Sequence, residues 1–239
     1  MRLLALTKKE IFTQIHAPAF YGIALFFLLF LSIWFFNFQN FFVQNLATLR
    51  PFFAGFPLVF ILVIPVITMK SWAEERKTGS AELLLTMPFS EWDLVLGKFL
   101  SAFTLVLILT ALTLPVPLSL FPLGNFDGGV IFAEYIGVIL LGASATALGN
   151  LLSSLSKNQA GAFLGSAAAL LVVMLVNQLV LTLNLPDYLS SALNFISLSF
   201  HFESFSRGLI DSRDFAFFLL STALFLFLNT LVLIYRKWG

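Results

Sequence analysis

The stretch FPLVFILVIPVITMKSWAEERKTGS, residues 56–80, decides the fold class, because a long apolar run passes directly into a charged one. About 20 apolar residues, rising about 1.5 Å each, are enough for a helix to cross the hydrocarbon core of a membrane. The apolar run Pro51–Met69 has the length of such a helix. The charged residues that follow it are then expected at a membrane surface, where water or another protein can contact them.

The composition of the whole chain indicates a membrane protein. Of its 239 residues, 59% are hydrophobic and 10% are charged, whereas soluble domains carry about 25% charged residues. The absence of cysteine excludes disulfides, thiolate chemistry and cysteine-ligated metal sites. The opening residues, MRLLALTKKEIFTQIHAP, do not resemble a signal peptide, since charge recurs through them and no cleavage site follows.

Six apolar segments predict an all-α polytopic membrane protein with six transmembrane helices. None of them alternates with the two-residue period of a barrel strand. Prolines inside the second segment and near the end of the third predict kinks. The segments are Pro18–Phe36, Pro51–Met69, Leu96–Leu120, Val130–Leu152, Ala160–Leu183 and Phe215–Tyr235.

The distribution of lysine and arginine predicts the orientation. Ten of these residues fall on the side that carries both termini, and only Arg50, Arg207 and Arg213 fall on the other. The positive-inside rule therefore places both termini in the cytoplasm. Residues 1–17 are expected to form an amphipathic helix in the membrane interface, with Leu3, Leu6, Ile11 and others on its apolar face.

Residues 70–95 are expected to form a structured cytoplasmic element. The second helix continues into water as far as Lys77, and Gly79 suits a helix C-cap. A cluster of three leucines then needs a surface to bury against, and Ser90 with Asp93 matches the capping box that starts the third helix. We expect a docking surface for another protein, formed by Glu74, Glu75, Arg76, Lys77, Gly79, Glu82, Leu83, Leu84 and Leu85.

These residues resemble the segment between the second and third spans of ABC-2-type transporter permeases. The similar features are a pair of glutamates, a glycine, a further glutamate, two leucines and a proline, followed by Gly97-Lys98. Within that family the chain is most similar to the permease of the gliding-motility type. Supporting stretches are KKEIFTQIHAPAFYGI (8–23), SSLSKNQAGAF (153–163) and HFESFSRGLIDSRDF (201–215).

The resemblance implies a permease fold of the type V exporter kind and a set of partners. No Gly-x-x-x-x-Gly-Lys-Ser/Thr loop is present, so MgATP is expected on a partner and no cofactor on this chain. Two permease chains, identical or different, are expected to pair with a cytoplasmic dimer of ABC ATPase subunits. The complex would export a substrate or transmit force, without contact to nucleic acid.

An ion channel, an intramembrane enzyme and a secondary carrier without an ATPase partner are the alternatives. A channel would show an acidic ring or a filter loop, and the other two would show paired titratable groups within the spans. Only Glu134 is a strong candidate for a buried carboxylate, and a position near the outer interface is the alternative for it. We therefore expect no catalytic residue and no metal site; a lone His16 has no partner ligand nearby.

Residues 184–214 are too apolar for a free loop and predict short re-entrant helices before the last span. Glu203 and Arg207 are one helical turn apart, in the order that favours an ion pair. A charged outer gate, or a contact for an extracytoplasmic accessory protein, is expected at His201, Glu203, Arg207, Asp211, Arg213 and Asp214.

Small residues and phenylalanines predict how the helices pack and which residues face the lipid. Gly137, Gly142, Ala145 and Gly149 predict close packing between helices. The 30 phenylalanines are expected chiefly on the lipid-facing surface.

Overall fold

The computed structural model describes residues 2–44, 47–79, 90–183 and 186–238. Within these ranges every regular element is a helix and no β-strand occurs. Six helical stretches are long and apolar enough to cross a membrane, which confirms the predicted all-α fold. They are named spans 1 to 6 in chain order: Pro18–Val43, Arg50–Lys77, Glu91–Leu123, Gly128–Leu155, Gln159–Gln178 and Ser212–Arg236.

The helix boundaries follow local sequence signals. Pro18 occupies the first turn of span 1, and the Ser90 hydroxyl accepts a hydrogen bond from Asp93 N at the start of span 3, as the capping box predicts. Gly79 has a φ of +74°, a left-handed conformation that ends the span 2 helix and favours glycine. Span 3 is interrupted after Ala111 and resumes at Pro115, where a proline cannot continue the preceding hydrogen-bond ladder.

Several spans contain more than one helix, and further helices flank them. Span 1 comprises Pro18–Ile33, the π-helix Trp34–Phe38 and Phe41–Gln44; span 2 comprises Arg50–Phe53 and Gly55–Lys77. Span 3 comprises Glu91–Ala111, Pro115–Leu120 and the 3₁₀ turn Phe121–Leu123. Spans 4, 5 and 6 lie within the single helices Gly128–Leu155, Gln159–Leu183 and Ser212–Trp238. An N-terminal helix, Arg2–Ile15, precedes span 1, and two outer helices, Asp187–Ile196 and Leu198–Ser206, precede span 6.

Spans 2 and 4 form the centre of the bundle. In their most apolar windows 72% and 61% of residues are buried, against 22% in spans 1 and 5. Small residues permit the close approach, as predicted. A Cβ at Gly149 would lie 2.5 Å from Thr68 Oγ1, and one at Gly142 would lie 2.9 Å from Val106 Cγ1.

Phenylalanine is less confined to the lipid-facing surface than the sequence analysis predicts. Phe26 and Phe38 are exposed, in line with that prediction. The prediction is wrong for an aromatic cluster where spans 1 and 2 meet, because edge-to-face and stacked rings fill that contact at centroid distances near 5–6 Å. Its fully or almost fully buried members are Phe27, Phe35, Phe52, Phe53, Phe56 and Phe60.

The second outer helix packs into the bundle, whereas the first, Asp187–Ile196, has no buried residue. Phe202 and Phe205 are buried, and a Cβ at Gly137 would lie 2.7 Å from Phe205 Cβ. Gly137 is nine residues into span 4, about 13 Å along its axis. The second outer helix therefore reaches the depth of the spans while it is covered by protein, which agrees with a re-entrant arrangement.

Candidate functional site: a charge network at the basic end

Lys98 is the centre of a charge network at the basic end of the bundle, the end that carries both termini. Its Nζ lies 2.6 Å from Glu75 Oε1 and 3.5 Å from Glu10 Oε1. The same nitrogen lies 4.8 Å from the centroid of the Trp72 ring, within the range of a cation–π contact. The network of Glu10, Trp72, Glu75 and Lys98 therefore joins the N-terminal helix, span 2 and span 3.

The burial of Lys98 makes this network important for the stability of the bundle. The residue is 2% exposed although it carries an ammonium group. A buried charge loses its hydration and needs opposite charge and hydrogen-bond acceptors to compensate. Glu75 supplies both, with a side chain that is itself only 17% exposed.

Two arginines attach the end of span 4 to its neighbours. Arg76 Nη1, on the extension of span 2, donates to the Ser156 carbonyl at 2.5 Å. Arg236 Nη2, at the end of span 6, donates to the Leu155 carbonyl at 3.1 Å. The last carbonyls of a helix lack partners within it and carry partial negative charge, so cations bind there favourably.

Ser153 adds a neutral contact beside these arginines. Its hydroxyl accepts a hydrogen bond from Trp72 N at 3.2 Å and donates one to the Met69 carbonyl at 3.3 Å. Together with Arg76, it fixes the charged extension of span 2 against span 4.

The structure divides the predicted docking residues into two groups. Glu74 and Lys77 are exposed, whereas Glu75 and Arg76 face inward and are partly buried by the contacts just described. Gly79 takes the predicted C-cap conformation. Glu82, Leu83, Leu84 and Leu85 lie outside the described residues. A role in docking stays a prediction for all of them.

At the opposite end, the predicted outer cluster separates into a buried pair and exposed charges. His201 Nδ1 and Asp214 Oδ1 lie 2.6 Å apart, and the two residues are 7% and 8% exposed. His201 Nε2 is 3.1 Å from the Phe195 carbonyl, and its ring stacks on Phe217 with centroids 3.7 Å apart. This pair clamps the second outer helix to the start of span 6.

The exposed charges lie on the surface of the same region. Arg207 Nη2 donates to Glu203 Oε1 at 2.6 Å, which confirms the ion pair expected from their spacing. Asp211 Oδ1 accepts a hydrogen bond from Arg213 N and so shapes the turn into span 6. The six predicted residues therefore share one region without converging on a single site.

Sequence reasoning did not single out Glu10, Trp72, Lys98, Ser153 or Arg236 as site residues of the basic end. The sequence does contain a signal for Lys98, because a lysine two turns inside an apolar span needs a buried partner. Its partners Glu10 and Glu75 are 88 and 23 residues away, and no local spacing indicates them. Ser153 gives no such signal, since serine is common in membrane helices.

Comparison with known proteins assigns the family. The sequence pattern described as ABC-2 family transporter protein matches residues 35–235. The probable multidrug ABC transporter permease YbhR of Escherichia coli K12 is 25% identical over 145 residues, which are 60% of this chain and 39% of that protein. YbhR of Escherichia coli O157:H7 gives the same values. The chain thus spans about two fifths of the length of the curated relatives it matches.

The family match covers most of the chain and includes spans 2 to 5 in full, together with the basic-end residues Trp72, Glu75 and Lys98. The all-helical bundle with its six candidate spans agrees with it. Members of this family are membrane subunits of ABC transporters. The chain belongs to the ABC-2 transporter family and is a multi-pass permease subunit.

Proposed function

We propose that this permease couples ATP hydrolysis by a separate ABC ATPase to movement of its spans, in a bacterial inner membrane with both termini cytoplasmic. MgATP is bound by the ATPase, and this chain binds no cofactor. The ten-to-three distribution of basic residues supports the orientation. The basic end is then the end that meets the ATPase.

One observation supports the coupling most directly. The extension of span 2 is a continuous part of the helix Gly55–Lys77, and side chains attach it to two other spans. Glu75 binds Lys98 of span 3, and Arg76 binds the carbonyl end of span 4. Because the extension is fixed to these spans, a displacement imposed on it by the ATPase is transmitted to all three.

The exposed side of the extension is the proposed contact with the ATPase. Glu74 and Lys77 project from it, and the predicted docking residues Glu82 and Leu83–Leu85 follow in the chain. Glu75 and Arg76 serve in this scheme as internal anchors, which refines the expectation that all four charges meet the partner. Two ATPase subunits would each grip one permease chain of a pair.

The cargo and the process belong to the same proposal. Export and force transmission both fit a permease pair, and the resemblance to gliding-motility permeases favours a motility-related role. The name of the relative YbhR suggests efflux of small compounds as a second candidate. The exposed charges Arg207 and Arg213 would act in either case as an outer gate, or as the contact for an accessory protein.

The test is affinity purification of the full chain from its native host after charge reversal. In the variant E74K/K77E, the amount of ABC ATPase that co-purifies should fall at least tenfold while membrane insertion is unchanged. The matched control E203K/R207E reverses an exposed pair at the opposite end and should retain the ATPase. Retention of the ATPase by E74K/K77E would refute this docking surface, and a wild-type chain without any ATPase would favour a channel or a carrier.

A further inference from the structure

A cavity of about 400 Å³ opens at the end of the bundle opposite the basic end, between the segment before span 2 and the start of span 4. This size falls within the range of small-molecule sites. Its charged lining residues are Arg50, Asp127 and Glu134, and Thr48 lies beside them. The coupling contacts described above are at the other end, so this cavity has no part in them.

Glu134 is the most unusual residue of the cavity. It is 0% exposed, and neither carboxylate oxygen has a hydrogen-bond partner among the described residues, although Ser206 lies beside it. A buried carboxylate without donors is unfavourable, so native proteins supply such groups with a partner. A charged side chain within a membrane span is, for the same reason, a mark of a functional site.

Arg50 provides the complementary charge near the opening. It is exposed, and its guanidinium forms no ion pair within the part of the chain that the structure describes. It nevertheless lines the same cavity as Glu134. One carboxylate oxygen of Asp127 already has partners within the chain, because its Oδ1 accepts hydrogen bonds from Gly129 N and Val130 N at the start of span 4.

We propose that this cavity binds a zwitterionic group, with its primary ammonium at Glu134 and its anionic part at Arg50. An ammonium supplies the hydrogen-bond donors that the Glu134 oxygens lack. A guanidinium binds phosphate or carboxylate oxygens in a bidentate manner. The cavity presents one guanidinium and two carboxyl groups, which suits a ligand that carries both an anionic and a cationic group.

The positions of the two groups define the orientation of the ligand. Glu134 is seven residues beyond Asp127, about 10 Å deeper along the axis of span 4. The ammonium therefore binds deep in the cavity and the anionic group near the opening. Because Glu134 is fully covered in this conformation, its side chain has to rotate toward the cavity when the ligand binds.

Simpler ligands fit this arrangement less well. An anion alone would leave the Glu134 oxygens without hydrogen-bond donors, and a metal cation alone would be opposed by Arg50. Two sources supply the zwitterion: the phosphoethanolamine headgroup of a membrane lipid, and a free amino acid from the extracytoplasmic solution.

Binding of phosphoethanolamine to the full chain in phosphatidylglycerol nanodiscs tests the proposal by calorimetry. We expect saturable binding by the wild-type chain, and at least tenfold weaker binding by E134Q and by R50Q. Ethanolamine and inorganic phosphate should each bind at least tenfold more weakly than phosphoethanolamine. The control E203Q, which changes an exposed carboxylate at the same end, should bind as the wild type does.

Two further measurements identify the source. Native mass spectrometry from nanodiscs that contain phosphatidylethanolamine should show a retained lipid that E134Q and R50Q lose, if the headgroup is the ligand. Saturable glycine binding that both substitutions weaken would instead support a free amino acid. The proposal would be overturned if E134Q and R50Q bound phosphoethanolamine and glycine as tightly as the wild type does. It would also be overturned if inorganic phosphate bound as tightly as phosphoethanolamine. R50Q changes an exposed residue and keeps the test valid if E134Q does not fold.

Discussion

Lys98 of span 3 and Glu75 of span 2 form an ion pair of 2.6 Å, in which the lysine is almost completely buried. Glu10 of the N-terminal helix lies 3.5 Å from the same ammonium. One cation therefore holds three helices at the end where the ATPase is proposed to bind. The contribution of this ion pair can be measured by removing its members singly and together.

The substitution K98M should destabilise the chain strongly, because it leaves the Glu75 carboxylate partly buried beside an apolar side chain. Removal of one member of a buried pair costs about 3–5 kcal/mol, and the residual exposure of Glu75 favours the lower value. Thermal unfolding in detergent measures the loss. The double variant K98M/E75M should recover part of it, whereas losses that simply add would show that the two residues are not coupled.

Gly149 should tolerate no side chain, because a Cβ there would meet Thr68 of span 2 at 2.5 Å. We expect G149A to lose about 1–3 kcal/mol of stability through overpacking. The control is G165A in span 5, where no atom lies within 4 Å of the added Cβ and no loss is expected. T68A in the G149A background should restore part of the stability; no restoration would place the strain elsewhere.

The two carboxylate contacts near the outer helices, His201–Asp214 and Glu203–Arg207, should differ in their effect on stability. D214A leaves the ring nitrogen of the buried His201 without its partner and should cost about 1–3 kcal/mol. E203A breaks a pair that is 62% and 49% exposed and should cost at most about 0.5 kcal/mol. Thermal unfolding of both variants checks the order, and equal losses would contradict it.

The exposed arginines Arg207 and Arg213 should matter for function and not for assembly. Alanine at both positions should abolish the transport-linked ATP hydrolysis of the native complex, while the ATPase still co-purifies. Full hydrolysis in the double variant would leave these residues as boundary charges of the membrane.

Reporter fusions test the orientation. A periplasmic reporter should be active after Asn40 and after Asn125, and a cytoplasmic reporter should be active after Lys77, because basic residues concentrate on the side of the termini. A cytoplasmic signal from the first two positions would contradict the proposed placement of both termini.

The sequence predicts those parts of the structure that depend on local chemistry. The length of the apolar segments predicts the six spans, and Ser90 and Gly79 predict where two helices begin and end. The spacing of Glu203 and Arg207 predicts their ion pair. The burial of Glu134 was also foreseeable, since it is an isolated carboxylate in an apolar segment.

Contacts between distant parts of the chain could not be predicted in this way. Arg76 meets Ser156, 80 residues away, only because spans 2 and 4 pack side by side. Asp214 was expected in the outer cluster, but its contact with His201 becomes evident only when the outer helix folds back on span 6. The inward direction of Glu75 likewise follows from helix packing and from no sequence spacing.

The central position of span 4 has a consequence for biogenesis. The Ser144 hydroxyl of span 4 donates a hydrogen bond to the Phe218 carbonyl of span 6, and Gly149 of span 4 packs against span 2. Early and late parts of the chain therefore meet through a helix that is synthesised between them. Spans 1 to 3 are therefore synthesised before the surface that completes their packing exists. Since membrane helices insert first and associate afterwards, we infer that a nascent chain halted before residue 128 presents an unmatched face of span 2 to lipid and to quality-control proteases.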